Sequence, residues 1–591
     1  MPTPSDVTLT DGSLSFDGGV DSLATTTIAS EANPNGLKRN QLAWLNNGSV
    51  RDGGISPRAG WQPIGTFHAG DAIYQGGAMY DPDGEHPYPI VSVGGILYAI
   101  NPDTAAATDL TGGNPLLANP PAETYGYFCQ GEEFLIIQAG DNVTLPLFWD
   151  GALLRRSLGL LGAPHAELPA ATAMDYYMGR LWYAQGRQYT AGDIVGNTSS
   201  GTAPYNFRDS ILKVTENPMA IGGDGFLVPS ASGNIRALKH GAAIDVAMGE
   251  GRLFIFTRRN VYALQVPVTR TNWIAAGYNN QPLQTVVQFV NGSVNDRSVA
   301  AANGDLYYQS LEPGIRSLLQ AVRYFQTPGN RQISANEQRL LQFSDRSLLR
   351  FGSGIEFNNR MLQTALPKQL ASGVVSQAIA PMDFIPISGF GQEHLPNWEG
   401  MYEGLDILQL FTGDFGGRQR AFAVTVSRVD GAFQLWELTQ ADRFENGDNR
   451  ITWVIEFPSY TWGDEFKLKK LVSLELWIDR LYGSVDFNLE YRPDGETCWL
   501  PWHRWEECCP RTSCEDHNNP ICYPLLAHGE SYRSTRTVPL PPPSCQTATG
   551  RPSNVGYQFQ PRLTIKGYCR LRGVMLHAQP MLRELYAGLT C

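Results

Sequence analysis

One short pattern recurs along the chain and restricts its fold more than any other feature. A glycine-containing turn leads into a strand where Leu or Phe stands beside an aromatic or aliphatic residue, at 94–98, 131–135, 179–183, 251–255 and 304–308, and more weakly at 431–436. Most copies are roughly 40–50 residues apart, the length of a four-stranded propeller blade. The pattern predicts a degenerate, β-propeller-like body of about six blades. A β-sandwich is the alternative, because it uses similar turns and strands.

The composition agrees with an all-β, folded chain. Hydrophobic residues make up 42% and charged residues 17%, while 61 Gly and 39 Pro lie between short apolar runs. At 591 residues the chain exceeds the size of a single hydrophobic core, so more than one domain is expected. It has neither a long apolar run nor a basic and apolar opening, so we predict no membrane span and no secretory signal.

Changes in the residue pattern along the chain suggest three structural parts. Residues 1–35 are predicted to form an N-terminal arm, and 36–465 the propeller-like body, with a loop insertion near 190–235 that is rich in Gly, Ser, Thr and Asn around 192–203. Residues 466–591 are predicted to form a C-terminal β-sandwich with a cysteine-rich loop. Its strands at 467–477 and 484–491 alternate in polarity and are separated by a predicted turn at Tyr482 and Gly483, and a second turn is predicted at Gly567.

The charge distribution argues against tight binding of nucleic acid. The net charge is -12, and no segment concentrates Lys and Arg into a basic stripe. An acidic wall would instead suit a conduit for DNA, since like charges repel and their field is screened beyond about 8–10 Å in physiological salt.

The sharpest chemical candidate is a cluster of sulfur and imidazole side chains. Eight of the nine cysteines fall between Cys498 and Cys591. The candidate ligands are Cys498, His503, Cys508, Cys509, Cys514, His517 and Cys522. Their spacing contains no CxxC pair, the arrangement that most readily supplies tetrahedral zinc geometry. Zinc, disulfides and reduced structural thiols remain open, and we predict no metal or cofactor site.

No pattern selects catalytic residues. The chain has no G-x-S-x-G, H-E-x-x-H or phosphate-cradling glycine loop, so we predict that it is not an enzyme. Asp494-Gly495 before Trp499 has the order of a hairpin turn rather than that of an Asp-box. Trp499, Trp502 and Trp505 could stack on sugars, but residues three apart on a strand face opposite sides, which favours packing.

Several segments carry a family resemblance. Residues 14–20 (LSFDGGV) and 46–61 (NNGSVRDGGISPRAGW) resemble the opening of tail nozzle proteins and related virion proteins of short-tailed phages, which reads roughly N-x-x-V-R-D-G-x-x-x-P-R-x-G. Such a segment describes a hairpin with an Asp-Gly turn. Residues 343–362 resemble a blade of those proteins that contains G-x-x-F-x-N-R-L, with Met361 in place of the Leu. Trp499, Trp502, Phe559 and Arg562 are similar to their C-terminal region.

The resemblance implies a role in a phage particle. It implies a structural subunit of a ring-shaped tail nozzle, a homo-oligomer of six copies, in contact with tail adaptor and fibre proteins. Genomic DNA would pass through the lumen without sequence-specific binding. The protein would be located in the virion tail after assembly in the host cytoplasm. The alternatives are a receptor-binding or fibre-docking tail protein, and a carbohydrate-active propeller enzyme, which requires paired carboxylates in a cleft.

Overall fold

The described part of the chain folds mostly into β-strands, as the sequence predicted. The computed structural model describes residues 8–31, 33–51, 53–120, 125–159, 167–195, 208–214, 226–241, 252–264, 284–288, 290–312, 314–318, 332–384, 396–439, 443–447, 449–508, 533–542 and 550–581. In this part of the chain the helical segments are single turns: α1 (Gln338–Leu341) and the 3-10 turns Arg208–Leu212, Ser230–Ser232, Ala335–Glu337 and Leu349–Phe351. No helix among these residues is long and apolar enough to cross a membrane.

The N-terminal strands are distributed among other sheets. They are β1 (Leu9–Ser13), β2 (Thr25–Ile28), β3 (Gly36–Leu37), β4 (Trp44–Asn46), β5 (Gly48–Ser49), β6 (Ser56–Pro57) and β7 (Trp61–His68). Strands β1 and β4 join the C-terminal sheet, and β7 joins the sheet that closes the propeller. Strands β5 and β6 pair as a short hairpin, so the resemblance segment at 46–61 does form a hairpin, while Asp52 of the predicted Asp-Gly turn lies outside the described residues.

Five separate sheets form consecutive propeller blades. Their strands, in chain order, are β8 (Tyr74–Tyr80), β9 (Tyr88–Val93), β10 (Ile96–Ile100) and β11 (Ala107–Asp109); β12 (Tyr127–Gly131), β13 (Phe134–Gln138), β14 (Leu147–Trp149) and β15 (Leu154–Arg156); β16 (Thr172–Tyr177), β17 (Arg180–Gln185), β18 (Gln188–Ala191) and β19 (Phe226–Leu227); β20 (Ile235–Gly241), β21 (Arg252–Thr257), β22 (Val261–Leu264) and β23 (Gln284–Gln288); and β24 (Ala300–Ala302), β25 (Asp305–Gln309) and β26 (Ile315–Ser317). Half of the predicted insertion at 190–235 lies outside the described residues.

The recurrent glycine pattern marks a hairpin turn within the blades. Gly94 and Gly95 join β9 to β10, Gly179 joins β16 to β17, and Gly304 joins β24 to β25, with φ values of 59°, 86°, 71° and 73°. These positive angles favour glycine because it has no Cβ. In the second blade the positive backbone angle at this turn is that of Glu132, with φ 51°. Glu132 follows Gly131, the last residue of β12.

A larger, folded sheet closes the ring. Its strands are β27 (Gly354–Phe357), β28 (Arg360–Leu370), β29 (Gly373–Asp383), β30 (Asn397–Trp398), β31 (Tyr402–Phe415), β32 (Arg418–Val426) and β33 (Phe433–Leu438), followed by a separate hairpin of β34 (Phe444–Glu445) and β35 (Asn449–Arg450). The order is β27-β28-β29-β31-β32-β33-β7, with β30 paired to β29. Because β7 precedes the first blade in the chain, its pairing with β33 fastens the two ends of the propeller together.

The folded sheet occupies the place of two blades. Ile355 and Ile379 on one half pack with Leu410 and Ala423 on the other. The β31–β33 half also packs on the first blade, and the β27–β29 half packs on the fifth. The predicted all-β, propeller-like body is therefore confirmed, with five separate blades rather than about six and one double-width sheet that completes the ring. The weak sequence copy at 431–436 is the β32–β33 hairpin of that sheet.

The C-terminal strands form a folded, sandwich-like sheet. They are β36 (Thr452–Glu456), β37 (Lys469–Pro493), β38 (Leu500–Cys508), β39 (Arg533–Pro539), β40 (Val555–Gly556) and β41 (Phe559–Pro580). The order is β38-β37-β41-β36-β4, and β1, β39 and β40 pair on β41 or β37. Leu474, Phe487, Ile565 and Val574, which are fully buried, lie in its core.

Two predicted turns are bends within continuous strands. The chain does not reverse at Tyr482 and Gly483 but continues through the 25-residue strand β37, and Gly567 lies inside the 22-residue strand β41. Arg480 and Gly567 have φ values of 48° and 116°. The register between β37 and β41 shifts at these places. Such bulges bend strands without ending their pairing, so β37 and β41 bend together as a pair.

A bulge also changes the interpretation of the tryptophans. Leu489 pairs with His503 while its neighbour Glu490 pairs with Pro501, which leaves Trp502 as the extra residue in β38. The bulge lets both Trp502 and Trp505 point inward, and both are buried. Simple alternation had predicted opposite faces. These two rings are therefore packing residues of the sandwich, as the sequence analysis favoured.

Candidate functional site: a buried charge network that joins the propeller to the sandwich

Two of the segments that carry the family resemblance, 46–61 and 343–362, meet in space. Arg51 comes from the β5–β6 hairpin, and Asn358 and Arg360 come from the turn between β27 and β28. The Arg51 Nε and Nη2 atoms donate to the two Asp383 carboxylate oxygens at 2.8 and 2.7 Å. The same Nη2 donates to the Asn358 carbonyl at 2.7 Å. A bidentate pair of this kind fixes orientation as well as charge.

A fully buried carboxylate lies at the centre of this contact. Glu399 accepts hydrogen bonds from Arg360 Nε at 2.7 Å and Nη2 at 3.1 Å. It also accepts from Ser49 Oγ at 2.7 Å, the Val50 amide at 3.0 Å and Tyr402 Oη at 2.7 Å. Ser49 and Val50 belong to the first resemblance segment. Glu399 thus joins both segments through four of these donors, and the fifth comes from Tyr402 in β31.

The electrostatic environment of Glu399 and Arg360 favours the charged state of both side chains. Burial alone would raise the pKa of the Glu399 carboxyl, but the Arg360 guanidinium and the hydrogen bonds hold that pKa below its ordinary value. Burial lowers the pKa of Arg360, yet Glu399 more than offsets this, so the net shift is upward. The network therefore contains a fully formed ion pair inside the protein.

Arg58, the second arginine of the hairpin segment, takes part in contacts that reach the start of the sandwich. The Arg58 side chain is 1% exposed and pairs with Glu445 Oε2 at 2.8 Å. It also donates to Asn47 Oδ1 at 2.9 Å and to the Glu403 carbonyl at 2.8 Å. Asn47 Nδ2 then donates to the Thr452 carbonyl at 3.1 Å, so the contacts continue into β36. We call the contacts of Arg51, Arg58, Arg360 and Glu399 the junction network.

A cleft of about 640 Å³ lies beside the junction network. Glu403 and Arg428 line it from the folded sheet, and Asn46 and Thr452 line it from the C-terminal sheet. Its volume lies within the range of about 300–1,000 Å³ that is typical of ligand pockets. The two lining carboxylates already accept hydrogen bonds, Glu445 from Arg58 and Glu403 from Asn46 Nδ2 at 2.7 Å. The arrangement is chemically suited to holding two domains together.

The predicted cysteine cluster is only partly described. Cys498, Cys129 and Cys569 form no disulfide. Cys498 is exposed, Cys129 is partly buried and Cys569 is buried. His503 stacks on Trp505 with ring centroids 5.7 Å apart. Cys509, Cys514, His517 and Cys522 lie outside the described residues, so the choice among zinc, disulfides and thiols stays a prediction. Within the described ranges, no group of three or more metal-ligating side chains occurs.

The C-terminal resemblance residues are also packing residues. Arg492 and Arg562 place their guanidinium carbons 4.5 and 4.4 Å from the centre of the Trp499 ring. Phe559 is fully buried, and Arg562 pairs with Glu490 at 2.7 Å. Asp494 lies between β37 and β38 and accepts from the Gln558 amide at 3.2 Å. Each motif residue therefore has an architectural contact.

Sequence reasoning missed the acidic half of the junction network. Asp383, Glu399 and Glu445 lie more than 300 residues from their partners in the hairpin. The chain contains 57 acidic residues, and no local pattern distinguishes these three. The usable signal was indirect: two arginines within a hairpin motif require carboxylate partners if they are buried.

The fold and the junction define a β-propeller fused to a β-sandwich through a buried ionic contact. No protein-family model matches the sequence, and no curated protein matches it. Among solved structures, the chain is similar to one in the mitotic checkpoint complex, at 8% identity over 64% of this chain and 93% of that one, with a TM-score of 0.36. It is also similar to the BBS1 chain solved with ARL6, at 11% identity over 65% and 98%, TM-score 0.34. A third is YCF48 from Cyanidioschyzon merolae, at 11% identity over 64% and 98%, TM-score 0.29.

Proposed function

We propose that the protein is a non-enzymatic structural subunit of a phage particle, one copy in a ring-shaped tail nozzle that retains the genome and guides its ejection. One observation carries the proposal. The two segments that resemble nozzle proteins are separated by about 300 residues in the chain, yet Ser49 and Arg51 of the first contact Arg360, Glu399 and Asn358 around the second. The resemblance therefore concerns one three-dimensional element as well as two stretches of sequence.

The physical character of that element supports a mechanical role. Removing one partner of a buried ion pair typically costs about 3–5 kcal/mol. The pairs of Arg51 with Asp383 and of Arg58 with Glu445 therefore hold the β5–β6 hairpin on the propeller side, and the same hairpin contacts the C-terminal sheet where Ile55 pairs with Leu571. A subunit of a conduit has to keep this geometry while DNA passes. The net charge of -12 is also compatible with a wall that does not retain DNA.

A closed ring is the expected assembly. A single kind of subunit forms a tube by a heterologous contact that closes through cyclic symmetry. Six copies in contact with adaptor and fibre proteins are the arrangement that the family resemblance implies. The location in the virion tail belongs to the same proposal.

Electron microscopy of negatively stained full-length protein, alone and added to particles that lack it, tests the proposal. A hollow six-fold ring that binds at the tail end is expected. A solid trimer would favour the receptor-binding or fibre-docking alternative, and hydrolysis of host surface polysaccharide would favour the enzyme alternative.

A matched pair of variants tests the mechanical argument. Arg51→Ala breaks the bidentate contact with Asp383 and is expected to lower the fraction of closed rings. Arg572→Ala removes an exposed arginine outside the junction network and should leave that fraction unchanged. Equal ring formation by both variants would contradict a role for the joint in assembly.

A further inference from the structure

A small arginine-lined pocket lies where the propeller ring closes. Its volume is about 110 Å³, and its lining includes Arg297 and Arg350 with apolar walls from Ile73, Val374 and Leu408. The pocket lies beside the beginning of β8, where the Tyr74 amide donates to the Ser372 carbonyl in the β28–β29 turn at 3.0 Å. It is therefore separate from the junction network.

Arg297 is held in one orientation. Its Nη2 atom donates to the Gln75 carbonyl at 2.6 Å and to the Gly126 carbonyl at 2.8 Å. Its guanidinium carbon lies 4.0 Å from the centre of the Tyr125 ring. A side chain at Gly76 would overlap Nη2, so the backbone of the first blade leaves room for this arginine. The guanidinium is thus positioned before any ligand arrives, which lowers the entropy lost on binding.

Arg350 is the second arginine that lines the same pocket. It is exposed, and its guanidinium carbon lies 4.7 Å from the centre of the Phe351 ring. Among the residues that the structure describes, no ion pair engages Arg350 or Arg297. Two arginines therefore line one small space, and neither forms an ion pair with another described residue.

Charges of both signs surround Tyr127, which lies near this pocket. Burial raises the pKa of Tyr127, and Asp296 acts in the same direction, whereas Arg236, Arg297 and Arg350 act to lower it. The Asp296 carboxylate accepts a hydrogen bond from the Tyr125 hydroxyl. Among the described residues that line the pocket itself, two are arginines and none is a carboxylate.

We propose that this pocket binds the carboxylate of an acidic side chain presented by a partner polypeptide. The volume corresponds to roughly four water molecules at about 30 Å³ each, which is the size of a carboxylate with its adjoining methylene. The guanidinium groups match a carboxylate in charge and hydrogen-bond geometry, and the apolar walls accept the methylene. A phosphate within a nucleic-acid strand carries chain on both sides and fits a pocket of this size poorly.

Ligand-observed NMR on the full-length protein tests the proposal. The probe is N-acetyl-glutamate α-methylamide, which reproduces a glutamate within a peptide, and the neutral control is the glutamine analogue. Saturable binding of the glutamate probe at millimolar concentration is expected, together with weakening as salt increases. Equal binding of the glutamine analogue would overturn the proposal. Binding of inorganic phosphate without binding of the glutamate probe would assign the pocket to a different anion and would overturn it as well.

Two variants connect the signal to the pocket. Arg350→Ala should weaken the glutamate probe by about tenfold or more, because a hydrogen bond to a charged group is lost. Arg346→Ala removes another exposed arginine of the same segment that does not line the pocket, and it should bind as the unaltered protein does. An Arg350→Ala variant that binds with unchanged affinity refutes the assignment. Because neither arginine belongs to the junction network, this outcome is independent of the proposed nozzle function.

Discussion

Replacing Glu399 by Gln isolates the energetic role of the junction network. The substitution keeps the shape of the side chain but removes its negative charge and turns one acceptor into a donor. The Arg360 side chain is 11% exposed, so it would remain charged in a buried position without its counterion. Ser49 and Tyr402 would also lose a charged acceptor at 2.7 Å each.

The expected loss of stability follows from these contacts. Removing one partner of a buried ion pair costs about 3–5 kcal/mol, because the remaining charge is uncompensated. An exposed ion pair contributes at most about 1 kcal/mol. Asp103 pairs with Arg420 and is 69% exposed, so Asp103→Asn is a suitable control with a much smaller expected effect.

Chemical denaturation followed by tryptophan fluorescence measures the difference. Because a chain of several domains need not unfold in one step, the transition that separates the sandwich from the propeller is identified by limited proteolysis at each denaturant concentration. Glu399→Gln should move that transition to a clearly lower concentration, and Asp103→Asn should move it little. The reasoning is refuted if both variants shift the transition equally.

A double variant distinguishes charge from packing. Arg360→Met with Glu399→Leu removes both charges and keeps much of the buried volume, a change that is often neutral or stabilising. It should recover most of the stability lost in Glu399→Gln. A double variant as unstable as the single one would mean that packing, rather than the unpaired charge, causes the loss.

Three further predictions concern other parts of the chain. Gly400→Ala should destabilise the junction by about 1–3 kcal/mol, measured by thermal unfolding, because φ is 75° and a Cβ would overlap a carbonyl oxygen of β4. The His240 imidazole lies 3.0 Å from Asp175, and this hydrogen bond raises its pKa above 6.5. Its stabilisation is therefore present below that value and lost as the pH rises through the raised pKa, so His240→Gln should flatten that part of a plot of Tm against pH. Cys498, which is exposed, should react with iodoacetamide before Cys129, where burial raises the pKa to about 12, as peptide mass spectrometry would show.

Each of these predictions has a control or a contradicting result. Gly447 has a φ of 80° with nothing near its Cβ position, so Gly447→Ala measures the cost of the backbone angle without the overlap. An unchanged pH profile in His240→Gln would exclude a contribution from its pair with Asp175. Labelling of Cys129 as fast as Cys498 in the native protein would contradict the described burial.

Local residue chemistry was sufficient for the individual blades. Gly94, Gly179 and Gly304 stand at hairpin turns because their backbone angles favour glycine, and this local requirement is visible in the sequence. The β27–β28 hairpin has no copy of the glycine pattern because it turns through Asn358 and Asn359, with φ values of 52° and 54°. Asparagine tolerates this conformation, so the turn carries no glycine signal.

The long strands show where local information ends. Alternation correctly indicated the strands around Leu474 and Phe487, and Gly483 correctly indicated a change in chain direction. Whether that change becomes a turn or a bend depends on pairing with β41, more than 70 residues away. A turn residue specifies a local angle, whereas the partner strand determines whether hydrogen bonding continues through it.

The sequence by itself determined the all-β class, the hairpins at the glycine turns and the presence of two arginines within an unusual N-terminal segment. Only the tertiary structure decided that five separate blades are closed by a double-width sheet, and which carboxylates meet Arg51, Arg58 and Arg360. The physical reason is the separation along the chain of the residues that interact. Turn angles and alternation depend on neighbouring residues, while sheet closure and the pairing of buried charges depend on groups brought together from distant parts of the chain.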